Sequence, residues 1–337
     1  MMTLTLLFLG FLFGGLLQYA KLNKYNVVSG LALRNDFTVA KAIAIAIGVG
    51  ALVLNTEIAM GLASYHVKPF IAGGLVFGGL IFGAGMAILG YCPGTLAVSL
   101  GEGSLDALIG IVGGLLGGVV YTLLLPTISP ILGPDLGNIS LRSLTENNTL
   151  FFIFMLLLSL LFILAAFGLQ KKDPNKSKRW IVSGMGLGLL NTIVFSSFVA
   201  DRPIGASTTY PYAGDVLANM TQNEYFTKIE TSGHWELMFL LGAFVSGVVW
   251  SLVRKDFRFT LLHENWKKHK GNSALQRVVW AFIGGFLLIM GARMAGGCTS
   301  GHILSGGMQW ALSSLTFALF TFVGLLVTGK FFYSKKG

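Results

Sequence analysis

The sequence predicts an all-α polytopic membrane protein, and three observations carry that prediction. Apolar residues make up 54% of the 337-residue chain and charged residues 11%. Soluble domains carry about 25% charged residues, so this chain needs a solvent other than water. Runs of nearly uncharged residues such as 4–20 and 150–169 reach the roughly 20 residues that cross a hydrocarbon core about 30 Å thick. The basic residues, which give a net charge of +10, collect in the short connections between those runs. There they act as topology signals and meet anionic lipid headgroups, so the charge does not imply nucleic acid.

Nine spans follow in order. Residues 2–20 lack a basic n-region, and Gln18-Tyr19-Ala20 is a poor cleavage site, so the segment reads as the first span rather than a signal peptide. Spans at 37–55, 70–90 and 107–125 come next, the last followed by a net acidic loop at 126–149 carrying Pro126, Pro130 and Pro134. Spans at 150–169 and 180–199 bracket Lys171, Lys172, Lys176, Lys178 and Arg179. The span at 235–253 precedes Arg254, Lys255, Arg258, Lys267, Lys268, Lys270 and Arg277. That 254–277 connection is either an ordinary loop or an amphipathic segment laying Phe257, Phe259 and Trp266 on the inner leaflet. Spans at 278–296 and 308–329 end on Lys330, Lys335 and Lys336. The positive-inside rule puts these three basic groups in the cytoplasm, so the N-terminus is expected outside and the C-terminus inside. Glycines such as Gly74, Gly78, Gly79 and Gly83 read as close-packing positions between membrane helices.

Four inter-span stretches look related. They are Asn26-Val27-Val28-Ser29-Gly30 with Asp36, Cys92-Pro93-Gly94-Thr95 with Glu102, Gly205-Ala206-Ser207-Thr208 with Asp215, and Cys298-Thr299-Ser300-Gly301 with Met308. On the nine-span topology the first two arrive from the cytoplasmic side and the last two from outside. Residues 1–170 and 171–337 are then two inverted repeats of one integrated membrane domain, whose broken half-helices build a central site. Irregular backbone at membrane depth has to be buried in protein or line a cavity, which makes these stretches the functional candidates.

Their chemistry suits an anion. Pro93 is favoured at the first position of a helix that Cys92 would cap, and Cys298 can do the same ahead of Thr299 and Ser300. A helix N-terminus presents unpaired N–H groups and about half a positive charge. A thiol adds a weak donor beside a soft, polarisable sulfur, suited to a sulfur-bearing ligand. The candidate substrate-binding residues are therefore Cys92, Gly94, Thr95, Cys298, Thr299, Ser300, Gly301, Asn26, Ser207, Thr208, Arg293 and His302. Arg293, inside an apolar run, either attracts the anion or ties down a neighbouring loop. His302 either assists a proton step or lies on a polar face, and Arg202 has an interfacial ion pair with Asp201 as its plainer reading. Glu102, Asp106 and Asp36 are candidate proton carriers, while Glu57, His66, His234 and Glu236 sit near span ends and are expected to face water. The two cysteines form no CxxC and no zinc spacing, so they are read as free thiols, with no cofactor and no metal. A membrane thiol or sulfurtransferase-type enzyme, the rival reading, would need a resolving thiol or base beside its nucleophile, and a transporter is expected instead.

The stretches Gly-Tyr-Cys-Pro-Gly-Thr at 90–95 and Gly-Ala-Arg-Met-Ala-Gly-Gly-Cys-Thr-Ser-Gly-His at 291–302 resemble the YeeE/YedE family of sulfur-transport membrane proteins over essentially the whole chain. The resemblance implies nine membrane helices plus half-helices in an hourglass, in a prokaryotic inner membrane. It also implies uptake of thiosulfate passed along cysteine thiols, roles that fall on Cys92 and Cys298. Because a dianion entering against about 100 mV, negative inside, is opposed by about 4.6 kcal/mol, proton coupling or consumption by a partner cytoplasmic sulfurtransferase is expected to assist. Thiosulfate-carrying members have a further cysteine in a Phe-Cys pair where this chain has Tyr25-Asn26. A related sulfur or selenium species is the alternative substrate.

Overall fold

In lipid, a backbone without water can satisfy its own N–H and C=O groups only in a helix or a closed barrel, and this sequence takes the first route. The computed structural model describes residues 2–334; Lys335 and Lys336, expected in the cytoplasm, lie outside the described residues. The helices are α1 (Met2–Tyr19), α2 (Tyr25–Ala32), α3 (Thr38–Ala59), α4 (Ala72–Leu89), α5 (Pro93–Gly101), α6 (Leu105–Leu132) and α7 (Leu141–Leu144). They continue as α8 (Asn148–Lys172), α9 (Arg179–Phe195), α10 (Thr209–Leu217), α11 (Glu224–Val253), α12 (Glu264–Lys270), α13 (Ala274–Met294), a π-helix (Thr299–Gly306) and α14 (Leu312–Phe332). Among the described residues, seven helical segments are long and apolar enough to cross a membrane, and α1 and α9 are shorter apolar helices beside them. Each of the nine expected spans corresponds to one of these nine helices.

Helix α4 lies between α13 and α14, α13 also packs along α6, α1 along α11, and α3 along α8 and α9. Small residues permit this closeness: a Cβ at Gly83 or Gly113 would run into the backbone of α14 or α13. The outer face of α8 stays uncovered, with Leu150, Ile153, Leu157, Leu160 and Leu164 exposed while Ser159 is buried. That is the pattern of a helix turned toward lipid.

Several helix boundaries differ from expectation. Helix α6 continues through Pro126 and Pro130 to Leu132, where a loop from 126 was expected; the segment 126–132 carries no charge, and membrane helices tolerate proline where neighbouring groups satisfy the freed carbonyls. Helix α11 starts eleven residues early, at Glu224, because Asn223 Oδ1 accepts from Phe226 N at 2.7 Å and caps it. Helix α13 starts at Ala274, with Ser273 as its cap, so Arg277 is fully buried instead of lying in a loop. Between them, α12 folds Trp266 completely into the protein, against α2, while Phe259 remains exposed. The 254–277 connection is therefore packed on the helices rather than laid whole on a membrane surface.

The connections sort into two ends. At one, Phe70 N donates to Gly137 O, Leu141 N to Trp310 O and Ser197 N to Leu62 O. At the other, Leu105 N donates to Thr260 O, Arg258 N to Glu102 O, and Phe37 N to Asp173 Oδ2. This second end carries the expected basic clusters.

Candidate functional site

Two long helices stop in the same way. Gly90 (φ 79°) ends α4 and Gly296 (φ 75°) follows the end of α13, both in the left-handed region that glycine enters without a Cβ penalty. Two residues later the chain is extended, at Cys92 (φ −105°, ψ 165°) and Cys298 (φ −123°, ψ −166°), and a short helix begins. Cys92 caps α5 as expected, with Pro93 at the first position and Cys92 N donating to Thr95 Oγ1 at 2.9 Å. After Cys298 the chain winds instead as a wide π-helix, a form concentrated at functional sites. Cys298 Sγ lies 3.2 Å from Ser300 Oγ.

The carbonyls freed where the long helices end need partners. Arg277 donates to Ile88 O (3.1 Å) and Leu89 O (2.6 Å) at the first break. At the second, His302 Nε2 bonds Ala295 O at 2.7 Å and Lys68 Nζ bonds Gly296 O. Arg277 is itself held by Asp106, Nη2 to Oδ2 at 2.6 Å, both groups fully buried, and it lies between the rings of Tyr25 and Trp266. Asp106 also accepts from Tyr91 Oη at 3.2 Å and meets His263 Nε2 at 3.1 Å.

Three cavities line up with these breaks. A small chamber of about 70 Å³ has walls of Phe13, Leu17, Met86, Leu187 and Leu304, together with Cys92, Gly94, Thr95, Thr299 and Ser300. The side chain of Cys92 reaches both Thr95 and Thr299. A polar vestibule of about 310 Å³ at one end is bounded by His66, Lys68, Arg202, Ser207, Thr208, Glu236, Gly297, Cys298 and Gly301. At the basic end, a second vestibule of about 330 Å³ holds Lys21, Lys24, Tyr25, Asn26, Glu102, Arg258 and His263. Thr299 and Ser300 thus face the chamber while their neighbour Cys298 faces the first vestibule.

The structure separates the remaining sequence candidates. Ten of the twelve line one of these three cavities; Arg293 and His302 line none of them. Arg293 is buried and ties down the loop before α10, through Tyr225 Oη (2.8 Å), Thr208 Oγ1 (3.1 Å) and Ser207 Oγ (3.4 Å). His302 is fully buried, with Nδ1 bonded to Ser314 Oγ at 3.0 Å and Nε2 to Ala295 O. Both its nitrogens are occupied inside the fold.

Asn26 is pinned to α12: its Oδ1 accepts from Asn265 N at 3.1 Å and its carbonyl accepts from Asn265 Nδ2 at 3.0 Å. The three carboxylates considered as proton carriers are bonded within the fold. Asp106 pairs with Arg277, Glu102 accepts from Gln18, Asn23 and Lys24, and Asp36 accepts from Thr38 N at the start of α3.

Sequence reasoning misplaced or missed three residues. Glu236 is 4% exposed rather than water-facing, because its Oε2 accepts from Thr208 N (2.6 Å) and Thr209 N (3.3 Å) at the start of α10. Arg202 does not pair with Asp201; its guanidinium sits 4.4 Å over the Trp235 ring, and Asp201 lies 3.7 Å from His66. Lys68 was not singled out, yet it stands in the first vestibule, where burial and the nearby Arg293 lower its ammonium to about 8. Its signal was available: it is an isolated lysine in a connection at the end away from the basic clusters.

Comparison with known proteins agrees with this architecture. Residues 24–327 match a protein family described as sulphur transport. Over 332 residues the chain is 24% identical to the thiosulfate transporter TsuA of Spirochaeta thermophila, a match covering 94% of this chain and 95% of that protein. A bundle of membrane-length helices broken at two glycine–cysteine turns, matched across nearly its whole length, places this multi-pass membrane protein in the sulphur-transport (YeeE/YedE) family.

Proposed function

We propose that the protein is a permease that takes up a small sulfur-containing anion, thiosulfate first among them, relayed by the thiols of Cys298 and then Cys92. The observation that carries this reading is the placement of the two cysteines on either side of one pair of hydroxyl residues. Cys298 Sγ is 3.2 Å from Ser300 Oγ, and Ser300 and Thr299 share the apolar chamber with Cys92. An anion held at Cys298 would meet Ser300 and Thr299 next, then Cys92 with Thr95 at the N-terminus of α5. There, unpaired backbone N–H groups and the helix dipole favour negative charge. Each thiol offers a weak S–H donor and a polarisable surface to the ligand's terminal sulfur, while hydroxyls and amides serve its oxygens. The relative named as a thiosulfate transporter supports the substrate class and a transporter rather than an enzyme.

In this reading residues 1–170 and 171–337 are inverted repeats, and the vestibule with Cys298 faces outside. The basic end, with Lys171, Lys172, Arg254 and Lys255, faces the cytoplasm. The membrane is the prokaryotic inner membrane. A dianion moving inward against about 100 mV opposes roughly 4.6 kcal/mol, from about 2.3 per charge. A coupled proton or consumption by a cytoplasmic sulfurtransferase has to offset that cost. The decisive experiment is growth of an uptake-deficient strain on thiosulfate as sole sulfur source. Wild type restores growth, and Cys92→Ala and Cys298→Ala do not. Growth of both variants at the wild-type rate removes the relay, and failure of the wild type redirects the substrate to another sulfur or selenium anion.

A further inference from the structure

We infer that Asp215, the carboxyl of the third repeated stretch, holds a proton and through it latches α10 onto α6, so that the outside pH sets the maximal rate of uptake. This rests on the permease reading and adds to it a regulated contact away from the sulfur path.

Asp215 is fully buried. Its Oδ2 lies 2.9 Å from Thr122 Oγ1, while Oδ1 is shielded from solvent and has no hydrogen-bond partner. Thr122 Oγ1 also lies 3.2 Å from Gly118 O. A hydroxyl has one hydrogen to give, and a backbone carbonyl only accepts. When Thr122 donates to Gly118 O, the contact with Asp215 needs a hydrogen from Asp215 itself, which is then a neutral acid. An ionised Asp215 would leave Oδ1 a bare charged oxygen inside the protein, which is costly unless paired. Among the described residues no Lys, Arg or His forms an ion pair with it. Tyr225 of α11 lies within reach of its charge, Tyr121 of α6 packs on the Tyr225 ring at 5.3 Å, and Arg293 of α13 is directed to Tyr225 Oη. Glu224 and Lys228 are exposed and bond each other. Asn223 comes near the carboxyl, but its Nδ2 bonds Met220 O and its Oδ1 caps α11.

The position of Asp215 gives the proton access and leverage. Val216 and Leu217, next along the chain, are exposed, at the end that the permease reading turns outside. Helix α10 is pressed onto α6: a Cβ at Gly118 would stand 2.6 Å from Pro211 N, and one at Gly214 2.9 Å from Leu115 O. Just before α10, Ser207 and Thr208 enter the vestibule with Cys298. From its first turn Tyr210 Oη donates to the carbonyl of Pro93, the residue after Cys92, at 3.0 Å. Loss of the proton buries an unpaired charge in the α6–α10 contact and loosens the helix that touches the first break and walls the outer vestibule.

The test is thiosulfate uptake by right-side-out vesicles, with outside pH varied at fixed inside pH, together with infrared spectra of the detergent-purified full chain. Saturating thiosulfate keeps the titration of Lys68, an effect on affinity, out of the measured rate. The wild-type rate should be highest at acid pH and fall about 5- to 10-fold as outside pH rises, the loss of roughly one hydrogen bond. Asp215→Asn stays neutral and keeps an N–H for Thr122, so it should hold the acid-pH rate throughout. At neutral pH the wild type should show a protonated-carboxyl C=O band that Asp215→Asn lacks. A band of equal size in both chains, or a decline with pH that Asp215→Asn reproduces, overturns the proposal. Should Asp215→Asn fail to fold, Asp215→Glu restores a titrating carboxyl and should keep the decline; a flat profile there overturns it. The expected band in a wild type that imports no thiosulfate removes the permease reading and leaves the proton on Asp215.

Discussion

The two cysteine-bearing breaks solve one problem with different materials. Both stop a long helix on a left-handed glycine, extend through a cysteine and restart. At the first break, the restart is a regular α-helix with proline at its head, and the loose carbonyls are capped from another helix by Arg277, which needs Asp106 to be buried at all. At the second, the restart is π-helical, and the carbonyls are taken by His302 from within the break and by Lys68 from the neighbouring loop. The first break is a rigid cap braced by a buried ion pair. The second is a turn braced by its own histidine and a neighbouring lysine, opening on a polar vestibule.

Replacing either sulfur tests what the breaks share. Cys92→Ala and Cys298→Ala should each cut thiosulfate uptake about 100-fold, as expected for lost hydrogen bonds to a charged ligand, measured with labelled anion at matched protein levels. Cys92→Ser should fold normally, since serine is a good cap, so any loss of uptake belongs to the sulfur.

The braces come next. Asp106→Asn strands Arg277 without its partner and should cost about 3–5 kcal/mol, read as a lower melting temperature in detergent. His302→Ala leaves Ala295 O and Ser314 Oγ unpaired and should cost about 1–3 kcal/mol. If His302→Ala proved the more damaging, the contrast between an externally and an internally braced break would be reversed.

The glycines give a finer comparison. Alanine at Gly90 or Gly296 suffers the left-handed penalty of about 1–2 kcal/mol. At Gly90 the new Cβ would also strike the Tyr25 ring, whereas at Gly296 it meets open space. Gly90→Ala should therefore be the less stable of the two by the same melting measurement. The smallest effect is on pH. Lys68 is a cation below about 8 and loses its charge above, so thiosulfate affinity should fall as pH rises through that value, and Lys68→Arg should flatten the decline.

Much of this was legible in the chain. The seven membrane-length helical segments and the two shorter apolar helices among the described residues followed from uncharged runs, and Cys92 as a cap followed from Pro93. The starts of α11 and α13 were not legible, because the charged residues Glu224, Lys228, Glu230 and Arg277 that hide them are accommodated by caps and a buried partner that periodicity does not reveal. The π-helix after Cys298 was invisible for a related reason: it is held by His302 bonds to Ser314 and Ala295, whose pairing depends on the fold. Lys68 and Glu236 were missed because solvent exposure near a span end is the default, and only tertiary contact with the loop before α10 buries Glu236.

The apolar wall of the chamber has a consequence for other ions. Phe13, Leu17, Met86, Leu187 and Leu304 give hydronium and chloride no lone pairs or donors to replace their shells of water, and only Cys92, Thr95, Thr299 and Ser300 bring polar side chains to this space of about 70 Å³. A lining of this kind disfavours small, strongly hydrated ions. In the permease reading, such a wall stands between two polar vestibules of about 310 and 330 Å³ and offers little to an ion that must keep its water.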